Sequence, residues 1–474
     1  MSTLIAVDLG ATSGRVIAGR VEGGAIRHEV VTRFPNGPVE HADGLHWDAS
    51  GLYGHIQDGL SKSFQLHDDV ISIGVDSWAV DYGLLRKNEL LHEPFHYRDD
   101  RTGRGIEAVH AQMPFEEVFR RNGLQFLPFN TVYQLAAEDW GGSSGTAEKL
   151  LLIPDLVNYW LTGQSWMEET NASTTGLIDV QTGLLSDEMI RVSGAPRELF
   201  APLIKPGDLV GQISRDVSTT LQITGPVLAV GSHDTASAVL AAPLNSSESA
   251  YISCGTWGLV GLELENPILS DEARIANFTN ERGVDGRIRF LHNVMGLWLL
   301  NESVRHWQER GDTRSVEELL AQAESYHGPI SIFDVNDPVF MLPGNMPARI
   351  SDWLARHHQL VPPNEVVMVA SIIESLARAF AEAVAVAGEL AGVELQDISL
   401  VGGGSLNQLL CQRLADYSGV PVIAGPVEAT ALGNILVQAR AARLIEGDLD
   451  ALRAVARASS SLRTFTPKSQ KGIA

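Results

Sequence analysis

The sequence has very little cysteine and no long hydrophobic run. Cys254 and Cys411 are the two cysteines among 474 residues, far apart and outside any metal-ligand spacing. A chain of this size with so few is neither a disulfide scaffold nor a zinc protein, and we expect both thiols to be buried and reduced. No apolar stretch reaches the ~18 residues of a membrane span, and the first residues lack the basic start of a signal peptide. The sequence therefore predicts a soluble, cytoplasmic protein.

Positive charge is also scarce. The chain has 35 Lys and Arg residues against 58 Asp and Glu, for a formal net charge of -23. Such an acidic surface repels polyanions, so we expect neither nucleic acid nor an anionic membrane as a partner. It does not exclude ATP, because a phosphate site is built locally from backbone N–H groups and a metal ion. The oligomeric state stays open.

Two familiar nucleotide signatures are missing. No G-x-x-x-x-G-K-[ST] sequence occurs, so a P-loop is not supported. No G-x-G-x-x-G opens a helix after the first apolar strand, which argues against a dinucleotide-binding dehydrogenase.

What is present is a strand–turn–strand pattern that occurs twice. The apolar residues 4–7 run into a turn rich in Gly, Ser and Thr and then into a second strand, and residues 250–262 repeat this order. In each half an amphipathic helix and another strand follow, with Asp48 and Asn364 as the expected N-caps. The repetition predicts two similar α/β halves with a ligand between them.

The length supports the same division. A chain of 474 residues exceeds what one hydrophobic core usually serves. We predict an N-terminal domain over 1–242 and a C-terminal domain over 243–474, because Pro, Asn and Ser break the periodicity between 241 and 248.

The first candidate site is the turn from Asp8 to Arg15. Its glycines let the backbone approach a phosphate, and Thr12 and Ser13 add hydroxyl and N–H groups. Asp8 could hold Mg²⁺ through water, because this ion keeps much of its hydration shell. Arg15 could neutralise phosphate charge. A plain hairpin with a polar turn would show the same pattern, so this turn alone leaves both interpretations open.

The second candidate site is the segment 231–237, which follows an apolar strand and precedes a predicted helix. A carboxylate there sits where ligands gather in open α/β folds. Asp234 could accept a proton from a substrate hydroxyl. Alternatively, Asp234 or Ser232 merely caps the helix. For His233, a hydroxyl-binding or structural role is commoner than a catalytic one.

The third candidate site is Gly402-Gly403-Gly404-Ser405 at the end of a predicted strand. Bare backbone there would admit a flat ring or a phosphate. The same run is also an ordinary strand-to-helix turn.

Taken together, these segments resemble the FGGY carbohydrate kinases, a branch of the actin-like ATPase superfamily. The likeness runs in order over nearly the whole chain, through the segments AVDLGATSGR (6–15), IGVDSWAVDYGLL (73–85), YRDDRT (97–102), GLQFLPFNTVYQL (123–135), NASTTGLIDV (171–180), GSHDTASAV (231–239), SCGTWGLVG (253–261), NVMGLWLL (293–300), VGGGSLN (401–407) and IAGPVEATALGN (423–434). The resemblance implies an α/β fold of two actin-like ATPase (ribonuclease H-like) domains with an active-site cleft between them.

The resemblance also implies roles for individual residues. ATP would be bound by Ala11, Thr12, Ser13, Gly14, Arg15, Thr256, Asn301 and Gly403. The sugar would be held by Ala79, His233, Asp234, Thr235 and Asn293. Asp8 would help to place Mg²⁺, and Asp234 would be the general base.

The implied reaction is ATP-dependent transfer of the γ-phosphate to the C1 hydroxyl of a ketose. The segments 126–131 and 232–235 are most similar to the kinases of L-rhamnulose, which would yield L-rhamnulose 1-phosphate and ADP. Two residues depart from that pattern: Ala79 stands where a glycine lies against the sugar, and Asn301 stands where glutamine is familiar.

Several alternatives therefore stay open. Because Ala79 bears on the substrate, another ketose such as L-fuculose or L-xylulose is an alternative. An actin-like ATPase without a sugar substrate is the alternative from another class. A non-catalytic sugar sensor is disfavoured, since Asp8, Asp234 and the glycines are all present.

Overall fold

The computed structural model describes residues 2–468, which divide into two compact units. Within the described residues, the first unit comprises 2–241, 263–290 and 429–460, and the second comprises 242–262, 291–428 and 461–468. The predicted domains 1–242 and 243–474 are continuous in sequence, whereas these units are not, and the domain limits stay a prediction.

The strands account for two mixed sheets and smaller pairings. Their bounds are β1 Thr3–Leu9, β2 Ser13–Glu22, β3 Ala25–Pro35, β4 Pro38–His41, β5 Gly44–Trp47, β6 Val70–Ser77, β7 Tyr82–Arg86, β8 Glu89–Leu90, β9 Lys149–Leu152, β10 Met167–Glu168, β11 Leu203–Ile204, β12 Leu209–Gln212, β13 Pro226–Leu228, β14 Ser249–Cys254, β15 Trp257–Leu264, β16 Thr279–Arg282, β17 Ile288–Met295, β18 Asp397–Val401, β19 Val422–Ala424 and β20 Arg463–Phe465.

The helices lie between these strands, singly or in succession. Their bounds are α1 Ala49–Leu66, α2 Thr102–Gln112, α3 Phe115–Asn122, α4 Thr131–Ala136, α5 Ile153–Thr162, α6 Glu169–Ala172, α7 Asp187–Ser193, α8 Arg215–Leu221, α9 Asp234–Ala241, α10 Asp271–Ile275, α11 Trp298–Glu309, α12 Val316–Glu324, α13 Met346–Arg356, α14 Glu365–Ala391, α15 Gln408–Ser418, α16 Ala429–Ala441 and α17 Leu449–Ala458. Short 3-10 helices lie at Ser144–Thr146, Arg197–Leu199, Val284–Gly286, Pro338–Phe340 and Gly403–Leu406.

The main sheet of the first unit has the order β12-β13-β6-β1-β2-β3. Strand β1 is antiparallel to β2, as the predicted hairpin requires, and parallel to β6, which is in turn parallel to β13. The residues of β1 are buried throughout, so the strand lies in the core. Because β1, β6 and β13 run the same way, the turns that follow them lie at one edge of the sheet.

Helix α16 packs against this sheet and ties it together with two side-chain amides. The amide of Gln438 donates to the carbonyl of Ile5 at 3.0 Å and accepts from the hydroxyl of Ser72 at 2.7 Å. It also donates to Oδ1 of Asn434 at 2.6 Å. All of these side chains are buried, so their polar groups are satisfied inside the unit.

The second unit repeats the arrangement of strands. Strand β14 is antiparallel to β15 and parallel to β18, and β18 is parallel to β19. The predicted repetition of the glycine-turn hairpin is therefore confirmed. The predicted helix caps are confirmed as well, since Asp48 accepts from the N–H of Gly51 and Asn364 from that of Val367.

The structure also bears on the two cysteines and on the apolar segments. Cys254 and Cys411 are both buried and free of disulfides, as predicted. Within residues 2–468, no helix combines the length and the apolar character that crossing a membrane requires.

The close packing of α16 on α9 generates a first prediction. A Cβ atom on Gly433 would overlap the carbonyl oxygen of Ser237, which is backbone and cannot move aside cheaply. We expect Gly433→Ala to lower the free energy of unfolding by about 1–3 kcal/mol, measured by denaturant titration.

The matched control is Gly54→Ala in the interior of α1. A Cβ atom there would meet nothing within 4 Å, and alanine favours a helix over glycine by about 1 kcal/mol. Equal stabilities of the two variants would contradict the described packing of α9 and α16.

Candidate active site

Two carboxylates lie side by side at the edge of the first unit's sheet. Asp8 of β1 is the parallel partner of Asp76 of β6, and both are buried. Arg15 lies opposite Asp8 on β2, and its Nη2 is 3.0 Å from Asp8 Oδ2. Asn434 of α16 donates to Asp76 Oδ2 at 2.5 Å. Burial and the neighbouring charge of Asp8 raise the pKa of Asp76 well above its usual value.

This pair has the donor set of a hard cation. Mg²⁺ takes oxygen ligands and is held by one or two carboxylates with water and phosphate. Among the described residues, none donates a hydrogen bond to Asp76 Oδ1. Asp8 and Asp76 therefore fit such an ion. The sequence analysis missed Asp76, although it ends an apolar strand in the same way as Asp8.

The Ala11–Arg15 turn is a tight hairpin connection. The N–H of Gly10 donates to the carbonyl of Ser13 at 2.9 Å, and Asn36 donates to the carbonyl of Gly10 at 2.8 Å. Thr12 is exposed at the tip. A Cβ atom on Gly14 would overlap the ring of Phe34 on β3. Strand packing thus accounts for this glycine, independently of any phosphate.

The Ser232–Asp234 turn follows β13 at the same sheet edge. Its His233 bridges to Ser77 at the end of β6, and the N–H of Ser77 donates to the carbonyl of Ser232 at 2.9 Å. Asp234 begins α9, and its Oδ1 accepts from the N–H of Thr235 at 2.6 Å. Its side chain keeps 31% exposure. Desolvation raises the pKa of Asp234, while His233 opposes the rise.

The buried carboxylate of Glu168 holds the Ser232–Asp234 turn in place. Oε2 of Glu168 accepts from both the N–H and the hydroxyl of Ser232, at 3.0 and 2.7 Å. The same carboxylate accepts from Thr170 Oγ1 at 2.5 Å. Since its hydroxyl points to Glu168, Ser232 does not cap α9. Burial raises the pKa of Glu168 to about 7. Nothing in the sequence had singled out Glu168.

Ala79 lies in a strained turn directly after β6. The N–H of Asp81 donates to the carbonyl of Ala79 at 2.9 Å, and Val80 between them has φ 69°. A positive φ is a genuine outlier for a β-branched residue, and such strain clusters at functional sites. The carbonyl of Val80 accepts from Thr131 Oγ1 at 2.6 Å, which holds the turn in place.

The carboxylate of Asp81 anchors this turn from inside the unit. Its Oδ2 accepts from the indole N–H groups of Trp47 at 2.6 Å and Trp78 at 3.0 Å, and its Oδ1 accepts from Gln134 at 2.9 Å. Burial raises the pKa of Asp81 to about 6. Trp47 and Trp78 pack together with ring centroids 4.1 Å apart, and Trp78 directly precedes Ala79 in the chain.

In the second unit, the turns after β14 and β18 lie at one edge of the sheet. Thr256 is in the first turn, and its carbonyl accepts from the N–H of Trp298 at the start of α11. Gly404 in the second turn packs against Cys254, whereas Gly403 is exposed with open space around its Cα. Asn301 is exposed in the first turn of α11.

The structure thus gathers the candidate residues into a group within each unit. Asp8, Ala11–Arg15, Ala79 and the 233–235 turn share the sheet edge of the first unit. Thr256 and Gly403 share an edge in the second, with Asn301 on the helix that Thr256 contacts. Asn293 lies on β17 with intermediate exposure. Their roles in binding stay predictions.

Solved structures of sugar and glycerol kinases share this fold. A xylulose kinase from Lactobacillus acidophilus superposes with a TM-score of 0.79 at 16% identity, covering 99% of this chain and 94% of that one. A glycerol kinase from Plasmodium falciparum gives 0.77 at 14% identity, over 99% and 94%. The predicted α/β fold is confirmed, with two mixed sheets that match these kinase structures over nearly the whole chain.

The family follows from the sequence models that match. The N-terminal domain of the FGGY family of carbohydrate kinases matches residues 3–241, and the C-terminal domain of that family matches 250–442. The chain belongs to the FGGY family of carbohydrate kinases. It is therefore a sugar kinase that uses ATP.

Among its curated relatives are enzymes described as rhamnulokinases. The one from Pectobacterium atrosepticum is 39% identical over 480 residues, covering 100% of this chain and 95% of the relative. The one from Bacteroides thetaiotaomicron is 37% identical over 470 residues, covering 98% and 95%. The one from Bacillus subtilis is 36% identical over 465 residues, again covering 98% and 95%.

The buried Asp81 generates a prediction about pH. A carboxyl whose pKa rises on folding stabilises the protein below its unfolded pKa and loses that contribution as the pH rises through the folded value. Burial raises the pKa of the Asp81 carboxyl from 3.8 to about 6. Asp81→Asn should therefore gain stability relative to wild type between pH 4 and pH 6, by up to about 3 kcal/mol. Denaturant unfolding followed by tryptophan fluorescence measures the difference at each pH.

The control is Asp187→Asn, since the side chain of Asp187 is 85% exposed. We expect its stability difference from wild type to be flat over the same range. A flat difference for Asp81→Asn as well would mean that this carboxyl does not titrate as its burial requires.

Proposed function

We propose that this kinase transfers the γ-phosphate of ATP to the C1 hydroxyl of L-rhamnulose, giving L-rhamnulose 1-phosphate and ADP. The observation that supports L-rhamnulose as the substrate is the likeness to rhamnulokinases, at 36–39% identity over nearly the full length of both chains. The resemblance of the segments around Phe129 and His233 to that branch of the family supports the same substrate.

Asp234 is the proposed general base. Its carboxylate stands at the start of α9, on the sheet edge that also carries Asp8, and it is partly exposed. A primary alcohol is a poor nucleophile, and a carboxylate within hydrogen-bond reach takes its proton during phosphoryl transfer. His233 and Thr235 flank the base, and we assign them with Ala79 and Asn293 to the sugar.

The phosphates of ATP are assigned to the Ala11–Arg15 turn in the first unit and to Thr256 in the second, with Asn301 and Gly403 on the nucleotide side. Arg15 would offset phosphate charge while its ion pair holds Asp8 in place. Asp8 and Asp76 would hold Mg²⁺ with its water ligands. When bound, this ion neutralises charge on the phosphates and orients them. Asp76 joins the proposal because it is the strand partner of Asp8.

One alternative survives on a specific ground. Another ketose, such as L-fuculose or L-xylulose, is the alternative because Ala79 carries a methyl group where glycine is usual. The alternative of another class, an actin-like ATPase without a sugar substrate, is set aside because the chain belongs to a family of carbohydrate kinases.

The reaction is tested by ADP release with Mg-ATP across a panel of ketoses, aldoses and glycerol. We expect a strong preference for L-rhamnulose, and a loss of about 10²-fold or more in kcat for Asp234→Asn, because the variant cannot accept the proton. Asp187→Asn, at an exposed position away from the sheet edge, is the matched control and should keep wild-type turnover.

The other results are equally informative. Preference for a different ketose that still depends on Asp234 would keep the mechanism and replace the substrate. ADP release that ignores every sugar and survives Asp234→Asn would overturn the proposal.

The methyl group of Ala79 gives a separate prediction about specificity. Removing it in Ala79→Gly should lower KM for the true sugar, or for a bulkier ketose that wild type disfavours, by about tenfold, which is the low end of the ~10–200-fold that one methyl group is worth in a pocket. The KM for ATP should stay constant. Unchanged sugar kinetics for the whole panel would show that Ala79 does not face the substrate.

A further inference from the structure

The imidazole of His233 has a protein group near each of its ring nitrogens. Nη2 of Arg289 is 2.9 Å from Nδ1, and the other nitrogen, Nε2, is 3.3 Å from Oδ1 of Asp234. The side chain of His233 is 7% exposed and that of Arg289 is fully buried. Each nitrogen therefore faces a protein group.

The identity of these two groups decides where the ring carries its proton. A guanidinium has only N–H donors and does not lose its charge in proteins, so it cannot accept a hydrogen bond. Nδ1 must then be the acceptor. In a neutral imidazole the proton consequently sits on Nε2, which is the nitrogen that faces Asp234.

Arg289 is itself fixed by the hairpin of β16 and β17. Its Nη2 is 3.1 Å from Oε2 of Glu281 on β16, and its Nε donates to the carbonyl of Arg282 at 3.0 Å. Burial raises the pKa of Glu281, but the Arg289 guanidinium and His233 outweigh this effect and hold that pKa below its usual value. A buried ion pair contributes little net stability, because desolvation offsets its attraction. Stability alone therefore does not explain why the Arg289–Glu281 ion pair is buried next to the Ser232–Asp234 turn.

Glu281 is also a competitor for the imidazole proton. Its Oε2 lies 3.4 Å from Nδ1, close enough to attract a proton to that nitrogen. The positive charge of Arg289 between them opposes this. Without Arg289, Nδ1 would be free to bind a proton toward Glu281, and Nε2 would no longer be committed to donating.

We propose that Arg289 is a positioning residue of the kinase, which holds His233 in the tautomer protonated on Nε2 and so directs an N–H donor at Asp234. The inference rests on the proposed function, in which Asp234 is the base. An N–H group 3.3 Å from Oδ1 of Asp234 favours the ionised form of this carboxylate, which a base requires. Burial acts in the opposite sense on Asp234, so the donor compensates for the site's desolvation.

The first test observes the tautomer directly. In wild type labelled with ¹⁵N-histidine, with the His233 signal assigned through His233→Asn, we expect a bare Nδ1 and a protonated Nε2 near neutral pH. In Arg289→Met, which keeps the bulk and removes the donors, we expect a protonated Nδ1 to appear. A wild-type His233 protonated on Nδ1 would overturn the proposal even where no variant folds.

The second test is kinetic. A general base contributes ~10²–10⁴-fold, and misdirecting it should remove part of this, so kcat of Arg289→Met should fall about 10- to 100-fold. The KM for ATP should change less than about threefold, since Arg289 is assigned no part in nucleotide binding. Arg289→Lys keeps a charged donor and should recover part of the loss. A fall in kcat without any change in the His233 tautomer would contradict the proposal.

Two further variants separate the explanations. Arg287→Met is the matched control. Arg287 belongs to the same hairpin but lies 3.2 Å from Glu265 and 3.6 Å from Glu263 instead of near His233, so the variant should leave both kcat and the tautomer unchanged. The double variant Glu281→Gln/Arg289→Met avoids a lone buried charge should the single variant not fold, and its kcat should still fall. Activity retained in Asp234→Asn would refute the base and leave the tautomer measurement intact, so the two failures are distinguishable.

Discussion

The parallel pairing of β1, β6 and β13 is the constraint on which the rest of the first unit depends. Parallel strands end at the same edge, so three turns that are far apart in sequence meet there. Asp8, Asp76 and Asp234 are each carried by one of these turns or strand ends. Local propensity alone could not bring them together; the strand register does so, and the second unit applies the same arrangement to its own glycine turns.

Gathering acids in this way raises the electrostatic cost of folding, and the structure meets that cost with donors. Asp81 accepts hydrogen bonds from two indole N–H groups and an amide. Glu168 accepts from the backbone N–H and the hydroxyl of Ser232, and Asp76 accepts from the side-chain amide of Asn434. These donors therefore satisfy buried carboxyl oxygens at one edge of the sheet. A rigid, partly desolvated site is what phosphoryl transfer requires, because most of its catalysis is positioning and charge stabilisation.

The sequence predicted the fold class, the two hairpins and the caps of α1 and α14 well, because periodicity and capping are local properties. It also named Asp8 and Asp234, each at the end of an apolar strand. It missed Glu168 and the Glu281–Arg289 pair, whose importance comes from contacts with residues distant in sequence. Their own neighbours in the chain show nothing unusual. Gly14 is expected to contact phosphate, and Gly404 belongs to a run that is expected to admit a flat ring or a phosphate or to be an ordinary turn. The packing of Gly14 on Phe34 and of Gly404 on Cys254 already accounts for both glycines.

Helix α16 has a consequence for how the protein is made. It supplies Asn434 to Asp76 and Gln438 to the strand of Ile5, so a sheet that begins at residue 3 is completed by residues more than four hundred positions later. During synthesis on the ribosome, the strands of this sheet emerge long before α16. Until α16 is made, the polar groups of the sheet that it contacts lack their hydrogen-bond partners. A fragment ending before α16 would leave Asp76 and the carbonyl of Ile5 unsatisfied. Premature termination should therefore yield chains that fail quality control rather than partly active kinases.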